Sequence, residues 1–493
     1  MRELEIRFHV PPDSLQSLRQ ELNRHGARST RMTAHYFDTP GDALGSQQMS
    51  LRLRQEGRRW FQTLKAQRSS SGLDRFEHNA ALRVPPGTMP VLDIARHDGT
   101  KAGVRLREVL GGATAETLVE RYTTDVTRLA CLLPLSGSAV EAALDTGILR
   151  SGERQQPICE LELEHRSGDI APLFALAQLW RRHGGLWLDS RSKAMRGATL
   201  ARDLCYGTPV KARAPALQRD MDGARLLRTV MLSTLEQVLG NASELATGSS
   251  DEEHVHQLRV GVRRLRTVLR ELAPLSEGFM SGWEPALSNA FAQLGAIRDD
   301  HAVAAAVGPL LERAGAPKLG WRSVNTADDP GAIVRADSFQ DTLLDLLRWA
   351  LSEPAWATPK HVPHEARRCL VERLSRLHRQ VTRGGEAFEQ LPEEERHQVR
   401  KRLKRLRYLA ELVSTMWAHK ATLRYLRPLS LAQDALGHHH DVTVAAAKFL
   451  ADAQKDPISL FAAGYLKAHE AVTARQAHAA LAQVTLARCF WKD

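Results

Sequence analysis

From the N-terminus to about Cys205 the chain alternates apolar and polar residues in short runs. Examples are LEIRF from Leu4, LRLRQ from Leu51, WFQTLK from Trp60, GVRLREVL from Gly103 and ICELELEH from Ile158. Turn-rich stretches separate them, at Asp38–Asp42, Ser69–Gly72 and Pro85–Gly87. Alternation with period two, bounded by Gly, Pro and Ser, predicts antiparallel strands. Two helical patterns interrupt it, around Ser14–His25 and Ile170–His183. After Tyr206 the pattern changes. Gly207–Pro215 reads as a linker, and beyond it Leu226, Leu227, Val230, Met231, Leu235, Val238 and Leu239 fall on one helical face. A second polar stretch, about 315–337, splits this helical region. The expectation is a multidomain α+β chain: a β-rich domain over 1–205, a linker over 206–218, and an all-α domain over 219–493 with halves near 219–314 and 338–493.

The helical region contains a repeat. HQLRVGVRRLRT from His256 and HQVRKRLKRLRY from His397 share a His, a Gln, three Arg and a Leu at equal offsets, 141 residues apart. LGAIRD from Leu294 and LGHHHD from Leu436 follow 142 apart, so the register persists. An internal duplication, two helical bundles related by pseudo-symmetry, is the reading.

Composition narrows the class. With 493 residues, 43% hydrophobic and 25% charged, the chain has ordinary globular composition. Its apolar runs fall short of the roughly 20 residues that span a bilayer. The opening MRELEIRFHV is charged where a signal peptide needs its apolar centre. Five scattered cysteines without CxxC spacing suggest neither a disulfide framework nor a zinc ribbon, which fits a reducing cytoplasm. The formal charge of +11 points to polyanionic partners.

Charge on the predicted strands is sorted. Glu3, Glu5 and Arg7 share one face of the first strand, opposite Leu4, Ile6 and Phe8. Arg52 and Arg54 flank Leu53, Arg75 and Glu77 flank Phe76, Arg105 and Arg107 flank Leu106, and Glu160, Glu162 and Glu164 alternate with Leu161 and Leu163. Any one such strand reads as a half-solvated antiparallel strand. Collected by sign, acids on the first and late strands and bases between, the rows point instead to a closed β-structure with a charged interior. Clustered carboxylates call for a hard divalent cation such as Mg²⁺. Clustered guanidinium groups call for phosphate oxygens.

These residues resemble the CYTH superfamily, the triphosphate tunnel metalloenzymes. Glu3-Leu4-Glu5-Ile6-Arg7 stands where the family has ExExK, and Tyr36-Phe37-Asp38-Thr39 resembles its YxDT segment. Leu51–Arg54, Thr63-Leu64-Lys65, Arg75-Phe76-Glu77, Glu120-Arg121, Ala143-Leu144-Asp145, Glu160–Glu164 and Ser192-Lys193 follow in family order. The resemblance implies an eight-stranded antiparallel β-tunnel with flanking helices, binding a triphosphate with Mg²⁺ or Mn²⁺. It implies that Glu3, Glu5, Glu160 and Glu162 hold metal with Asp145 assisting, and that Arg7, Arg52, Arg54, Lys65, Arg121 and Lys193 cradle phosphates. Arg75 and Glu77 complete the candidate catalytic set, and water would attack the terminal phosphorus. Arg7 departs from the family's Lys; it keeps the charge but cannot become a neutral base. Taken alone, Lys193 reads as a surface lysine, Arg105 and Arg107 as rim residues, and His9 and His35 as ordinary half-buried histidines.

In the helical region His256, Arg259, Arg263, Arg266 and Arg270 step by 3, 4, 3 and 4, one face of a helix spanning about 21 Å. His397, Arg400, Lys404 and Arg407 repeat the steps, with Arg405 adjacent. One such stripe would be a solvated basic face; its duplication suggests an extended polyanion. The segments resemble the CHAD domain, which implies two four-helix subdomains and polyphosphate binding by His256, Arg259, Arg263, Arg264, Arg266, His397, Arg400, Lys404, Arg405 and Arg407. His438-His439-His440 cannot all face one point on a helix and read as surface or polyanion-facing residues. The expected function is that of a bacterial inorganic triphosphatase of CYTH–CHAD architecture, cutting tripolyphosphate, in the cytoplasm and associated with polyphosphate granules. The alternatives are thiamine triphosphatase or class IV adenylyl cyclase-like activity, or a non-catalytic polyphosphate-binding protein. Aromatic residues make up only 5% and do not interleave with the basic stripes, which argues against nucleic acid.

Overall fold

The computed structural model describes residues 4–67, 75–85, 87–111, 117–275, 281–316, 329–352, 362–454 and 456–492. Its strands are β1 Glu5–His9, β2 Arg28–Asp38, β3 Met49–Glu56, β4 Arg59–Gln67, β5 Arg75–Leu82, β6 Val119–Leu135, β7 Ser138–Ser151, β8 Arg154–Ser167 and β9 Trp187–Leu188. Five helices accompany them: α1 Pro12–Arg24, α2 Ala43–Ser46, α3 Lys101–Leu110, α4 Ala171–Gly184 and α5 Lys193–Ala201. The helical region contributes α6 Gly223–Ala246, α7 Glu252–Glu271, α8 Glu284–Arg313, α9 Pro330–Arg335, α10 Asp337–Leu351, α11 Pro363–Glu386, α12 Glu393–Val413, α13 His419–Asp452 and α14 Ser459–Leu486.

All strands join one antiparallel sheet in the order β5-β4-β3-β2-β6-β7-β8-β1-β9. The eight expected strands are present, with a two-residue ninth that pairs with β1 through Phe8 and Leu188. One correction concerns GVRLREVL, read as a strand and found inside α3. Its buried residues Ala102, Leu106 and Leu110 recur every four positions, the period of a helix rather than a strand. Thr100 caps its N-terminus by accepting from the Gly103 N–H, and Gly111 ends it in the left-handed region at φ 58°. Leu106 and Leu110 then pack with Leu51, Leu64 and Ala66, so this helix covers the apolar side of β3 and β4.

The chain divides into two compact units. The first comprises Met1–Lys211, Leu235–Gln257 and Val334–Ser352; the second comprises Ala212–Thr234, Leu258–Ile333 and Glu353–Asp493. Within the first, α4 packs on α10. Arg181, its side chain 1% exposed, donates Nη1 to Asp337 (2.8 Å) and Nε to Asp341 (3.0 Å). Gln178 donates to Asp345 (2.8 Å), and the Leu188 N–H donates to Gln340 (2.8 Å). Asp337 is largely exposed and Asp341 keeps Arg182 (2.8 Å), so no carboxylate is stranded, and Arg181→Ala is expected to cost about 1–2 kcal/mol through lost packing and hydrogen bonds. The lowered thermal midpoint of the full chain measures it, and an unchanged midpoint would show the pair to be passive.

Within the second unit α11, α12, α13 and α14 form a four-helix bundle in which each packs on its sequence neighbour and α14 closes on α11. Val303, Val307, Leu310 and Leu311 of α8 pack against Val442, Ala445 and Phe449 of α13 and Ala462 and Leu466 of α14. The duplicated motifs fall on corresponding helices: the His256 and His397 motifs on α7 and α12, the Leu294 and Leu436 motifs on α8 and α13. Among the described residues no helix is long and apolar enough to cross a membrane.

Candidate active site

Strand register decides which side chains share a face. Arg52 on β3 lies opposite Tyr36 on β2, which lies opposite Tyr122 on β6. Two-residue steps along β6 lead from Tyr122 through Thr124 and Val126 to Arg128, which lies opposite Asp145 on β7. Asp145 lies opposite Glu160 on β8, and Arg7 on β1 lies opposite Glu162. On the other side Arg52 pairs with Thr63, and Lys65 pairs with Glu77. Because residues two apart along a strand share a face, all these charged groups line one face of one sheet. The sheet curls around that face: Glu5 acts electrostatically on Arg128, although β7 and β8 lie between their strands.

Helix α5 closes part of this face. Ala194, Ala198 and Ala201 pack on Ala34, Tyr36 and Tyr122, and the Tyr122 hydroxyl donates to the Ala194 carbonyl (3.0 Å). Gly197 permits the approach, since a Cβ there would meet the Tyr122 ring at 2.2 Å. Ser192 caps the helix by accepting from the Met195 N–H (3.2 Å), which places Lys193 in its first turn.

Asp145, Glu160 and Glu162 offer carboxylate oxygens that all lie within 4.8 Å of one another. The Lys193 ammonium touches all three, at 2.6 Å from Asp145 and 2.9 Å from Glu162, with Glu160 closer still. It is therefore no surface lysine, and it sits among the carboxylates rather than with the arginines of β3. Arg7 contacts Glu5, Glu162 (3.4 Å) and Glu160 (3.7 Å). Arg128 contacts Glu162 and donates to both oxygens of Asp145 (2.8 and 2.6 Å), and Arg196 donates to Glu160 (3.1 Å). Four cations thus face four carboxylates, so the acids are paired within the site rather than kept apart from bases. Burial pushes Glu162 up, but Lys193, Arg128 and Arg7 outweigh it and hold its carboxyl well below the usual range. At Glu160 burial and the Glu162 charge prevail over Lys193, and its carboxyl is raised.

The arginines of β3 are less fully satisfied. Arg52 donates to the Tyr36 phenol (3.0 Å) and Arg54 pairs with Glu56 (2.7 Å). Arg121 pairs with Asp42 (3.0 Å) and Lys65 with Glu77 (2.7 Å). The Nε atoms of Arg52, Arg54 and Arg121 are buried and make no hydrogen bond. Burial, reinforced by Arg52, lowers Arg54 to about 10. Buried donors without acceptors beside an excess of positive charge suit an anion. Asp38, by contrast, accepts from the N–H groups of Thr39, Leu44 and Gly45 (2.7–2.8 Å) and so organises a turn. Glu3 and the Arg75 side chain lie outside the described residues. His9 stacks on Trp187 at 4.5 Å, and His35 bonds Glu120 at 2.7 Å.

Sequence reasoning missed Arg128, Arg196 and Tyr36 as contributors. Arg128 could have been found by extending alternation back from Asp145's partner strand; Arg196 lies one helical turn from Lys193 and carries no other signal.

On the helical motifs, Arg259, Arg263 and Arg266 surround the Phe291 ring at 5.0, 4.9 and 5.7 Å. Arg263 also donates to the Tyr408 hydroxyl (3.2 Å). Arg263, Arg259 and Arg400 act on Lys404, so the stripes of α7 and α12 meet there. His397 lies against His440, ring centroids 5.4 Å apart. Several basic residues of the two motifs are held by partners of their own. Arg264, 1% exposed, donates to the Arg213 carbonyl (3.0 Å); Arg266 pairs with Glu284 (2.7 Å), Arg405 with Glu271 (3.6 Å) and Arg407 with Glu411 (2.8 Å). His256 belongs to the part of α7 in the first unit.

Comparison with known proteins finds two domain families. Residues 1–198 match the CYTH domain family and residues 229–450 the CHAD domain family. An inorganic triphosphatase of Haemophilus influenzae is 30% identical over 209 residues, 41% of this chain and 55% of that protein. The chain thus spans about half the length of that relative. A CHAD domain from the plant Ricinus communis aligns with TM-score 0.47 and 26% identity, over 56% of this chain and 96% of that one. A Hippeastrum protein described for a dominant triphosphatase activity aligns with TM-score 0.30 and 17% identity, over 41% and 97%. The chain carries a CYTH domain, residues 1–198, followed by a CHAD domain, residues 229–450.

Proposed function

We propose that the chain is a Mg²⁺- or Mn²⁺-dependent inorganic triphosphatase that cleaves tripolyphosphate to pyrophosphate and phosphate, and that its helical domain binds polyphosphate. The observation that carries the reading is the buried set Asp145, Glu160 and Glu162, sharing one sheet face with arginine Nε donors that lack acceptors. An all-oxygen donor set of this size fits a hard divalent cation. Asp145, Glu160 and Glu162 would hold it, with Glu5 beside them through Arg7. When bound, such a cation offsets charge on phosphoryl oxygens and promotes attack by water.

The chain's own groups bind and orient. Arg52, Arg54, Lys65 and Arg121 would take the phosphate oxygens, with Tyr36 holding Arg52 in place. Arg7, buried among Glu5, Glu160 and Glu162, stays protonated; it orients carboxylates and cannot accept the proton from water. Since four cations already balance four carboxylates, a divalent cation or a triphosphate alone would upset the balance. A bound cation offsets about half the charge of a triphosphate, and Arg52, Arg54, Lys65 and Arg121 stand ready for the rest, which favours uptake of the metal–triphosphate complex over either ion alone. Tyr36 and Tyr122 stack on each other at 4.6 Å and against α5, so these rings are engaged and do not serve a nucleobase. The H. influenzae relative supports a triphosphatase-like activity.

Phosphate release by the full chain from tripolyphosphate, ATP and thiamine triphosphate tests the reading. Tripolyphosphate is expected to be the preferred substrate, with turnover supported by Mg²⁺ or Mn²⁺ and stopped by chelator. Turnover that survives chelation, or a preference for either organic triphosphate, would count against it. For the helical domain Arg259, Arg263, Arg400 and Lys404, with His397, are the contacts the geometry favours.

A further inference from the structure

We propose that Glu244 and Ser243, on α6 of the helical region, position Lys193 of the β-domain, Glu244 acting through Arg191. The inference rests on the proposed triphosphatase function, in a site where Lys193 contacts the carboxylates Asp145, Glu160 and Glu162. Between β9 and α5 the four residues Asp189–Ser192 have no helical or strand structure to fix them. Lys193 follows directly, so whatever holds this segment sets where the ammonium lies. Its backbone is tied at one end by the Asp189 N–H donating to the Arg7 carbonyl (3.0 Å). In the middle the Ser190 N–H donates to Ser243 Oγ (2.9 Å).

The side chains add a buried ion triad. Arg191 grips Asp189 with Nε (2.9 Å) and Nη2 (2.8 Å) and donates Nη1 to Glu244 (3.0 Å). The second oxygen of Glu244 accepts from the Gly207 N–H (3.1 Å). Arg191 is 7%, Asp189 3% and Glu244 8% exposed, all within the first compact unit. A buried guanidinium without its second carboxylate cannot be met by bulk water where it stands. It must turn toward solvent or admit water, and either pulls on a segment that ends two residues later at Lys193. The α6 carboxylate therefore belongs to the support of the carboxylate cluster that Lys193 holds, although it lies 51 positions further along the chain than Lys193.

A salt bridge that merely stabilises the fold would lower yield or melting temperature without acting through Lys193, so the test is a double-mutant cycle in the full-length chain. Glu244→Gln keeps the packing while removing the charge; Ser243→Ala releases the Ser190 tether while leaving every buried charge paired. Steady-state hydrolysis of Mg²⁺–tripolyphosphate is measured for each, alone and with Lys193→Ala. Glu244→Gln and Lys193→Ala are each expected to lower kcat/KM about tenfold, with most of the loss in kcat, because the carboxylates that Lys193 holds are then misplaced. The double variants are expected to be no worse than Lys193→Ala alone. If Lys193→Ala is impaired but Glu244→Gln and Ser243→Ala each lower its remaining kcat/KM by the same factor as in the parent chain, the positioning role is wrong. A fully active Lys193→Ala would overturn this inference by removing Lys193 from the site, whereas a parent chain that does not hydrolyse Mg²⁺–tripolyphosphate would overturn the triphosphatase reading itself.

Discussion

Replacing Glu162 with alanine is expected to lower metal-dependent phosphate release from tripolyphosphate by about 10²–10³-fold, the loss seen when one preorganised charge-stabilising group is removed from a site. Glu162 is the carboxylate on which the cluster converges: Arg7, Arg128 and Lys193 all contact it, and it is one of three that can share a cation. Loss of it leaves two carboxylates for the metal and three cations short of a partner. Stability should fall too, by about 3 kcal/mol near neutral pH, as for other buried pairs broken on one side. The sign with pH follows from the depressed carboxyl. Its folded pKa lies below its ordinary value of 4.5, so its contribution is fully present above 4.5 and fades as acid protonates it in the folded state. The difference in melting temperature between parent and variant should therefore be large at pH 7 and shrink toward strongly acid pH. Glu162→Gln, which preserves shape, should lose activity as severely. Full metal-dependent turnover in the glutamine variant would sink the assignment of this cluster as the reaction centre.

Most of this face was legible because a strand records its environment with period two. Glu160 and Glu162, Arg52 and Arg54, and Glu5 and Arg7 each alternate with buried leucine, isoleucine or phenylalanine, and parity alone places each pair. The same rule misread GVRLREVL, where Arg105 and Arg107 alternate by coincidence. The deciding signals there were the Thr100 cap, Gly111 and four-residue apolar spacing. Arg128 escaped for a subtler reason. It stands seven residues after Arg121, an odd interval that would put the two on opposite faces of an unbroken strand. A bulge shifts the register where Tyr36 meets Tyr122 and Phe37 meets Glu120, and parity is lost across it. The segregation of acids from bases was also too simple. A buried carboxylate takes the nearest cation it can reach, and Lys193 reaches from a helix whose position no strand pattern encodes. Glu244 was beyond any sequence rule, because its role depends on α6 lying beside a segment far away in the chain. In the helical region the repeat identified corresponding helices but not which basic residue of each turn faces outward; Arg264, Arg405 and Arg407 prove to be held by neighbours in their own unit.

Affinity for long-chain polyphosphate at the helical domain is expected to fall as pH rises from about 6 to 9, by up to about tenfold per pH unit, the slope of one proton taken up on binding. Lys404 sets this expectation. Its burial, then Arg263, Arg400 and Arg259, lower it to about 6 against the opposing charge of Asp441. The hollow beside it is lined from α13 by Gln433, Asp434, His438 and Asp441 and from α8 by Ala306. Above pH 6 the lysine is thus mostly neutral in the free protein, where three arginine charges already crowd it. A chain of phosphates laid along Arg259, Arg263 and Arg400 cancels that repulsion and draws a proton onto the amine. Because the bound form holds more protons than the free form, raising the pH must weaken binding. His397, lowered by burial and by Lys401 and Arg400, adds to the effect in the same direction. Phosphate ionisation opposes it only at chain ends, so long chains isolate the protein's contribution. Titrations must share one salt concentration, since counterion release would otherwise dominate the comparison. Lys404→Met should bind more weakly at pH 6 and show a much flatter profile, the remaining slope coming from His397. An affinity independent of pH between 6 and 9 in the parent chain, or an unchanged slope in Lys404→Met, would mean that polyphosphate does not contact Lys404.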